Sequence, residues 1–341
     1  MNKPLPIILD CFPAFNETRL AAFRINYLRS FVDFTLIAES KLSHTGTDKP
    51  LYFKEWLKSQ DSETKRRVIV IEVPLERDAG SWDREIFTRE YLLAKAKEMH
   101  PGARFILSDL DEIPSLEQVS QLPTIGSVVR FSTPTYYRRV NWQLRDSHMK
   151  WARGVMGDLD SNVYSNGGRF TPKLRILSDN PGAHFSWFGV DSDLLYKKSA
   201  SIAHEELRKD YWKSEELLNF CDRYRINHLG GSRSKGLGVF RITDAEENSV
   251  VLAAKNQMPD LFDTQDELPN ILMRVLASIK LTAFVNNSAF MNTPRKGSTI
   301  KFFKWSNLPG LVAVLIEIPF TFYAQSKILL KTIIENFLVA K

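Results

Sequence analysis

The sequence has little cysteine, and it lacks the signals that mark secreted or membrane-spanning proteins. Its 341 residues include two cysteines, Cys11 and Cys221, which are too few for a disulfide framework. This scarcity favours a reducing compartment. The N-terminal residues MNKPLPIILDCF contain neither the long apolar stretch nor the small-residue cleavage site of a signal peptide. We therefore expect a cytoplasmic protein.

The composition is otherwise ordinary for a globular protein, but the positive charge is concentrated in one window. Hydrophobic residues make up 43% of the chain and charged residues 25%, which allows a complete core. The net charge is +6, and residues 130–175 alone contain nine basic and three acidic residues. Such a window attracts a phosphate-bearing ligand, an acidic acceptor or nucleic acid. The alternative is a solvated basic face.

Aromatic residues lie among these basic residues, namely Tyr136, Tyr137, Trp142 and Trp151. Aromatic rings stack on sugar rings, and arginines complement phosphate or acidic glycans. The same mixture also serves single-stranded nucleic acid. Because the sequence contains no recognisable nucleic-acid-binding motif, we predict an acceptor site here and no nucleic-acid partner.

The first 110 residues predict a doubly wound α/β sheet. Four short apolar runs each end in an acid: PIILD at Asp10, FTLIAE at Glu39, VIVIE at Glu72 and RFILSD at Asp109. Runs of this length and composition are typical of buried parallel strands. Helical spacing predicts helices over residues 16–31 and 81–100, capped by Asn16 and Ser81, with a loop before the third strand. Ligands bind at the carboxyl ends of such strands, so we expect the acids to gather along one edge.

The later part of the chain is mixed. Strands are predicted near SVVRFSTPTYY and GAHFSWFG, and helices, loops and some strand follow from about residue 211. Residues 308–324 are apolar except for Glu317, but two prolines and this charge make them a poor membrane span. Basic residues just before them suit a helix that lies on an anionic membrane surface. A docked core helix or an oligomer contact is the alternative.

The stretch ILSDLDEIP predicts a metal site at the end of the fourth strand. In an extended chain Asp109 and Asp111 point to the same side. Two such carboxylates suit Mg²⁺ or Mn²⁺, which keep positions open for the phosphates of a substrate. One alternative is a solvated turn in which Asp111 caps the next helix. Another is a haloacid-dehalogenase-like phosphatase with Asp109 as its nucleophile, and a third is a non-catalytic protein that binds polyanions or membranes.

Several stretches together resemble one known family. They are ILDCFPAFNE, RINYL, IAES, HTGTDKPLYFKE, WDRE with Arg89, ILSDLDEIP, YYRRVNW, GAHFSWFG and SIAHEE, in this order over about residues 7–210. The chain thereby resembles the glycosyltransferases of family 17, which include β-1,4-mannosyl-glycoprotein N-acetylglucosaminyltransferases. The resemblance implies a GT-A-like, Rossmann-type nucleotide-binding sheet with helices on both faces. It also implies a metal-dependent inverting transferase with UDP-GlcNAc as the donor and a glycan as the acceptor.

The resemblance and the reaction class suggest roles for individual residues. An inverting displacement needs a cation on the leaving diphosphate and a carboxylate base that takes the proton of the acceptor hydroxyl. We expect Asp109, Asp111 and His184 to bind Mn²⁺ or Mg²⁺. Glu205 is the predicted base and Asp191 its rival, and the two cannot be separated by sequence.

The remaining candidates are residues that we expect to contact the donor. They are Asp10, Asn16, Glu39, Arg84, Arg89, Asp109 and Glu112. Glu112 is placed at the hydroxyls of the donor sugar, and Asp10 or Glu39 at uracil or ribose. The two arginines are expected to pair either with the diphosphate or with Glu85 and Asp83, with a structural role for one of them.

The predicted organisation is a transferase domain over residues 1–255 and a helical, partly apolar C-terminal extension over residues 256–341. Within the domain we assign about residues 1–115 to the nucleotide sugar and about 116–255 to the acceptor. The expected partners are the nucleotide-sugar donor and the glycan acceptor. Peripheral membrane contact and oligomerisation through the extension both stay open.

Overall fold

A computed structural model describes the chain over nine stretches. They are residues 6–122, 128–144, 154–158, 174–189, 197–198, 200–201, 214–228, 238–264 and 268–290. The chain forms two compact units, one from residues 1–215 and 240–267 and the other from residues 216–239 and 268–341. The predicted domain boundary at residue 255 lies within the sequence of the first unit.

The first unit contains a seven-stranded sheet with the order β10-β6-β9-β4-β1-β2-β3. Its strands are β1 Ile8–Pro13, β2 Phe34–Glu39, β3 Val68–Glu72, β4 Arg104–Leu107, β6 Val129–Phe131, β9 Val155–Asp158 and β10 Ile176–Leu177. The four predicted strands β1 to β4 are present, and their pairings are parallel. Strand β9 runs antiparallel to both β4 and β6, so the sheet is mixed.

Helices cover both faces of this sheet. The described helices of the first unit are α1 Thr18–Leu28, α2 Tyr52–Lys58, α3 Ser62–Arg67, α4 Ser81–Met99, α5 Leu116–Ser120 and α7 Ser249–Gln257. Alternate residues of β1 pack against different helices: Phe12 lies in one cluster with Leu20 of α1, and Cys11 in another with Leu92 of α4. This alternation follows from the two-residue period of a strand. The predicted α/β class, with helices on both faces, is confirmed.

The local predictions were less accurate at the ends of helices. The residue that precedes α1 is Glu17 and not Asn16, and the Glu17 side chain makes no capping bond. The residue that precedes α4 is Gly80, which has no side chain that could cap the helix. Ser81 is the first residue of α4, so its predicted capping role is wrong. Helices α2 and α3 occupy the region predicted as a loop. Asp61 caps α3 through the backbone N–H groups of its first turn.

A second sheet brings a later strand to the end of β4. It has five strands in the order β12-β8-β7-β11-β5, which are β5 Glu112–Ile113, β7 Thr135–Tyr137, β8 Trp142–Leu144, β11 Ala183–Ser186 and β12 Phe240–Ile242. Strand β11 runs antiparallel to β5 and pairs His184 with Glu112. At Gly182 a Cβ atom would lie 2.1 Å from the Ile113 carbonyl oxygen. Only glycine permits this approach, which sets β11 beside the carboxylate turn.

Residues from late in the sequence complete the core of the first unit. Val250, Val251 and Ala254 of α7 are buried in the same cluster as Phe12 of β1 and Leu20 of α1. Asn248 caps α7 through two backbone N–H groups. Its side-chain amide also donates to the carbonyl oxygens of Pro181 (2.9 Å) and Gly182 (3.0 Å), so it anchors the segment that leads into β11.

The second unit contains the helices α6 Glu215–Tyr224, whose first residue falls in the first unit, and α8 Ile271–Phe290. Arg274 is buried, and it donates to the carbonyl oxygens of Tyr224 (3.0 Å) and Arg225 (3.2 Å). Among the described helices, none combines the length and the apolar character that crossing a membrane requires. The apolar segment at residues 308–324 lies outside the described residues.

Candidate active site

The predicted carboxylate pair lies in a closed turn between β4 and β5. The Glu112 N–H donates to the Asp109 carbonyl oxygen at 3.0 Å, and Glu112 Oε2 accepts from the Asp109 N–H at 3.2 Å. Because the chain turns here, the extended conformation expected for Asp109 to Asp111 is wrong. Asp109 contacts α4, whereas Asp111 contacts β11. The helix that follows is capped by Ser115 in a capping box, so Asp111 is not its cap.

A fully buried arginine supports this turn. Arg24 of α1 forms a two-point ion pair with Asp10, at 2.6 and 2.9 Å. Its guanidinium also donates to the carbonyl oxygens of Asp109 (2.8 Å), Leu110 (3.2 Å) and Glu112 (3.1 Å). Asp10 lies within β1, which continues to residue 13, and both of its oxygens face Arg24. These contacts favour a structural role for Asp10 over the predicted contact with the nucleotide.

Asp109 belongs to an ion-pair chain on α4. Arg89 Nη2 lies 2.5 Å from Asp109 Oδ1, and Arg89 Nη1 lies 2.9 Å from Glu85 Oε1. Burial opposes the charge on Arg89, but Asp109 and Glu85 outweigh it and raise the pKa of the guanidinium. The side chain of Asp109 is 37% exposed. Arg89 therefore fixes one oxygen of Asp109 and leaves part of the carboxylate accessible.

His44 lies beside the ion pairs of Glu85, Arg89 and Asp109, and sequence analysis did not select it as a site residue. Its Nδ1 lies 3.9 Å from Glu85 Oε2. Burial, together with the positive charge of Arg89, lowers the pKa of His44 to about 4, so the imidazole is neutral at neutral pH. His44 is the first residue of the stretch HTGTDKPLYFKE, which is one of the stretches that resemble family 17. No spacing pattern in the sequence links His44 to Asp109.

The other side of the turn brings Asp111 beside His184. His184 Nε2 lies 3.6 Å from Asp111 Oδ1, and His184 Nδ1 lies 3.4 Å from the Thr135 hydroxyl. Lys198 Nζ lies 2.7 Å from Glu17 Oε1 and 3.9 Å from Asp111 Oδ2. Sequence analysis selected Asp111 and His184 but missed Lys198 and Glu17. Nothing in the sequence joins residues 17, 111 and 198, which meet only through the fold.

Glu39, which was predicted to contact the donor, is the last residue of β2, and its carboxylate lies at the start of α2. Its carboxylate accepts from the backbone N–H groups of Phe53 (2.9 Å) and Lys54 (3.1 Å). Burial raises the pKa of Glu39, and these two N–H groups and the nearby Lys49 oppose that rise. The contacts favour a helix-capping role. For Asn16, the described contacts involve its backbone, which accepts from Thr18 and donates to Glu17.

Arg84 has the structural role expected for one of the two arginines. It is buried, and its Nε donates to the His44 carbonyl oxygen at 2.8 Å. Its Nη1 donates to the carbonyl oxygens of Glu76 (3.1 Å) and Arg77 (2.9 Å). Arg84 thus joins the loop after β2 to the loop after β3, while Arg89 reaches the carboxylate turn.

The predicted acceptor residues are only partly described. Glu205, Asp191 and Trp151 lie outside the described residues. Tyr136, Tyr137 and Trp142 are buried. The ring of Tyr136 packs against Phe185, and the rings of Tyr137 and Trp142 stack on Phe240. These three residues are core residues, so the prediction that they stack on a sugar is wrong for them.

Comparison with known families identifies the chain. Residues 3–214, which include both sides of the carboxylate turn, match Glycosyltransferase family 17. The chain belongs to glycosyltransferase family 17. It is therefore a glycosyltransferase, with a sugar donor and an acceptor as substrates, and the phosphatase interpretation is superseded. No curated protein matches the chain.

The site of this family 17 transferase has donor atoms that suit a divalent cation. Asp111 supplies a carboxylate oxygen from the carboxylate turn and His184 an imidazole nitrogen from β11, ligand types that Mn²⁺ accepts. Within the described stretches no three His, Cys, Asp or Glu residues gather around one point, and Asp109 pairs with Arg89 instead. A two-ligand site fits, because Mg²⁺ is usually bound by one or two carboxylates together with the phosphates of a substrate.

Proposed function

We propose that this glycosyltransferase transfers N-acetylglucosamine from UDP-N-acetylglucosamine to a glycan acceptor, with inversion to a β linkage and with Mn²⁺ or Mg²⁺ as its cofactor. The observation that carries the proposal is the meeting of Asp111 and His184 at the end of β4, beside the partly exposed Asp109. Family membership supplies the reaction class, and the resemblance to N-acetylglucosaminyltransferases supports the choice of donor.

The described residues suggest how the site holds the donor. Asp111 and His184 would hold the cation, which when bound neutralises the charge that develops on the leaving diphosphate. Arg89 keeps Asp109 in place beside them, and Arg24 fixes the backbone of the turn, so little ordering remains to be done when the donor binds. Glu112 lies beneath the turn and orients it through the Asp109 N–H.

The proton of the acceptor hydroxyl requires a base on the opposite side of the donor sugar. Glu205 or Asp191 remains our proposal for this base. Both lie in the part of the chain that matches the family, between β11 and α6. Replacing each with its amide tests the assignment. The base variant should lose transfer to the acceptor but keep the cation-dependent binding of UDP.

A thermal-shift experiment tests the proposed donor and cofactor together. UDP should raise the melting temperature of the protein only when Mn²⁺ or Mg²⁺ is present, because a ligand stabilises the folded state that binds it. A screen of nucleotide sugars for cation-dependent hydrolysis should then give the largest signal with UDP-N-acetylglucosamine. Protection by UDP in the presence of EDTA would contradict a cation site. A larger signal with another nucleotide sugar would contradict the donor.

The variant Asp111→Asn tests the residue that carries the proposal. We expect a loss of turnover of about 100-fold or more, because the cation supplies several kcal/mol of charge stabilisation. The UDP-dependent thermal shift should disappear as well. Glu98→Gln is the matched control, since Glu98 is an exposed partner of Lys95 near the end of α4. If Asp111→Asn turns over as the control does, the assignment of the site is wrong.

A cytoplasmic location for the enzyme and its glycan acceptor stays a prediction. Contact with a membrane surface and oligomerisation through the C-terminal extension also stay predictions, since residues 291–341 lie outside the described residues. Recovery with vesicles that contain anionic lipids tests the membrane contact, and the molar mass in solution tests oligomerisation.

A further inference from the structure

Lys198 places a positive charge inside the candidate site. Its ammonium lies 2.7 Å from Glu17 Oε1, which follows β1, and 3.9 Å from Asp111 Oδ2 in the carboxylate turn. The side chains of all three residues are 17–18% exposed. A lysine so little exposed is uncommon unless it is paired, so these two carboxylates account for its position.

The surroundings of Lys198 keep it charged. Two carboxylates, those of Glu17 and Asp111, face its ammonium and favour the charged form. The ammonium also lies 5.6 Å from the centre of the Trp187 ring, a position that favours a cation. Trp187 itself has φ 54°, in the left-handed region. This backbone conformation turns the chain directly after β11, next to His184.

A fixed ammonium beside Asp111 opposes a second cation at the same carboxylate. The ammonium of Lys198 and a divalent cation bound to Asp111 would repel each other strongly, because burial limits the screening of their charges by solvent. A divalent cation that binds to Asp111 and His184 without other ligands would therefore bind weakly. The diphosphate of a nucleotide sugar changes this balance, because its several anionic oxygens can bind an ammonium and a divalent cation at once.

We propose that Lys198 couples the binding of the divalent cation to the binding of the donor. In the donor-free protein its ammonium pairs with Glu17 and Asp111 and weakens the affinity of the site for the cation. In the donor complex the same ammonium contacts the phosphate oxygens of the nucleoside diphosphate. This inference rests on the proposed function and adds Lys198 to the residues that bind the diphosphate.

The proposal predicts effects of opposite sign in one variant. In Lys198→Gln the affinity for Mn²⁺ in the absence of nucleotide should rise about threefold or more, because a positive charge next to Asp111 is removed. The affinity for UDP at saturating Mn²⁺ should fall about tenfold or more, because a charge-assisted contact is lost. A lysine with only a structural role would weaken both affinities or leave both unchanged.

The experiment measures the two affinities separately. Mn²⁺ binding is followed by the electron paramagnetic resonance signal of the free ion, and UDP binding by titration calorimetry. Lys58→Gln is the control for net charge, since Lys58 is an exposed partner of Glu55. Lys198→Arg keeps the charge, so it should retain the weak Mn²⁺ binding and recover UDP binding in part.

The outcomes separate this inference from the function on which it rests. If Lys198→Gln changes both affinities in the same direction, or behaves as Lys58→Gln does, the role of Lys198 is overturned and the proposed function stands. If the wild-type protein binds no UDP in the presence of Mn²⁺, the proposed function is overturned, and the coupling with it. A rise in Mn²⁺ affinity together with a fall in UDP affinity supports the coupling.

Discussion

At the scale of single residues, Arg24 connects β1 to the carboxylate turn. Its guanidinium joins Asp10 of β1 to three carbonyl groups of the carboxylate turn, and no part of its side chain is exposed. A buried ion pair adds little net stability compared with apolar residues of similar size, but removal of one partner leaves an unpaired buried charge. The value of Arg24 therefore lies in defining the shape of the turn.

We predict that Arg24→Met lowers the free energy of unfolding by about 3–5 kcal/mol, because the carboxylate of Asp10 and the turn carbonyls lose their donor. Arg19→Met is the matched control on the same helix, since Arg19 pairs with Asp260 at the surface. Its loss should stay below about 1 kcal/mol. Urea unfolding compares the two variants.

The double variant Arg24→Met/Asp10→Leu should regain part of the stability that Arg24→Met loses, since no buried charge is then left unpaired. Equal losses in Arg24→Met and Arg19→Met would contradict the role given to the buried pair. Thermal protection by UDP and Mn²⁺ in the double variant then shows whether the site needs the guanidinium as well as a filled core.

His44 makes the stability depend on pH. The unfolded chain binds a proton at this residue below pH 6.5, whereas the folded protein does so only below about pH 4. Stability is therefore complete above pH 6.5 and is lost as the pH falls towards 4, by up to about 3 kcal/mol. In His44→Gln the melting temperature should fall less over this range than in the wild-type protein, because the group whose pKa is lowered on folding is removed. Parallel curves for His44→Gln and the wild-type protein would contradict the prediction.

Among the elements, β11 is the one whose position decides the site. It carries His184, and two features fix its start: the close approach at Gly182 and the side chain of Asn248. Neither feature belongs to β11 itself. The geometry of the Asp111–His184 pair therefore depends on a helix cap more than 60 residues later in the chain.

We predict that Asn248→Ala lowers stability by about 2 kcal/mol, because both the cap of α7 and the bonds to Pro181 and Gly182 are lost. Asn248→Ser keeps a capping hydroxyl but is too short for the two carbonyl groups. Both variants should reduce thermal protection by UDP and Mn²⁺, and Asn248→Ser should do so with the smaller loss of stability. Asp61→Ala, which removes the cap of the surface helix α3, is the control and should leave that protection unchanged.

The sequence allowed prediction of the four parallel strands and of α1 and α4, but not of α2 and α3 or of the contacts between elements. Strands β2 and β3 were predicted with the observed limits, because FTLIAE and VIVIE are continuous apolar runs with clear ends. The end of β1 was misplaced, because the strand continues past Asp10 to Pro13. Lys198 and Glu17 were missed because a contact across 181 residues leaves no spacing pattern.

At the scale of the whole molecule, each compact unit contains two separate stretches of chain. The second unit joins residues 216–239 to residues 268–341, and Arg274 provides one link between the two stretches. The first unit likewise depends on residues 240–267. Neither unit can therefore be separated by a single cut of the chain.

We predict that Arg274→Met increases amide hydrogen exchange in residues 215–228 by about tenfold or more, because a buried donor to two carbonyl groups is lost. Exchange in β1 to β4 should not change. Arg223→Met is the control, since Arg223 lies exposed on α6, within the segment whose exchange is measured. Equal exchange in the two variants would show that Arg274 does not hold this segment.

The contribution of α7 to the core also affects synthesis of the protein. Val250 and Val251 cover apolar residues of β1 and α1 that leave the ribosome some 240 residues earlier. At about 5–20 residues per second, roughly 12–48 s pass between the two events. During that interval Phe12 and Leu20 lack the cover that α7 gives them in the folded protein, so we expect the nascent chain to depend on ribosome-associated chaperones.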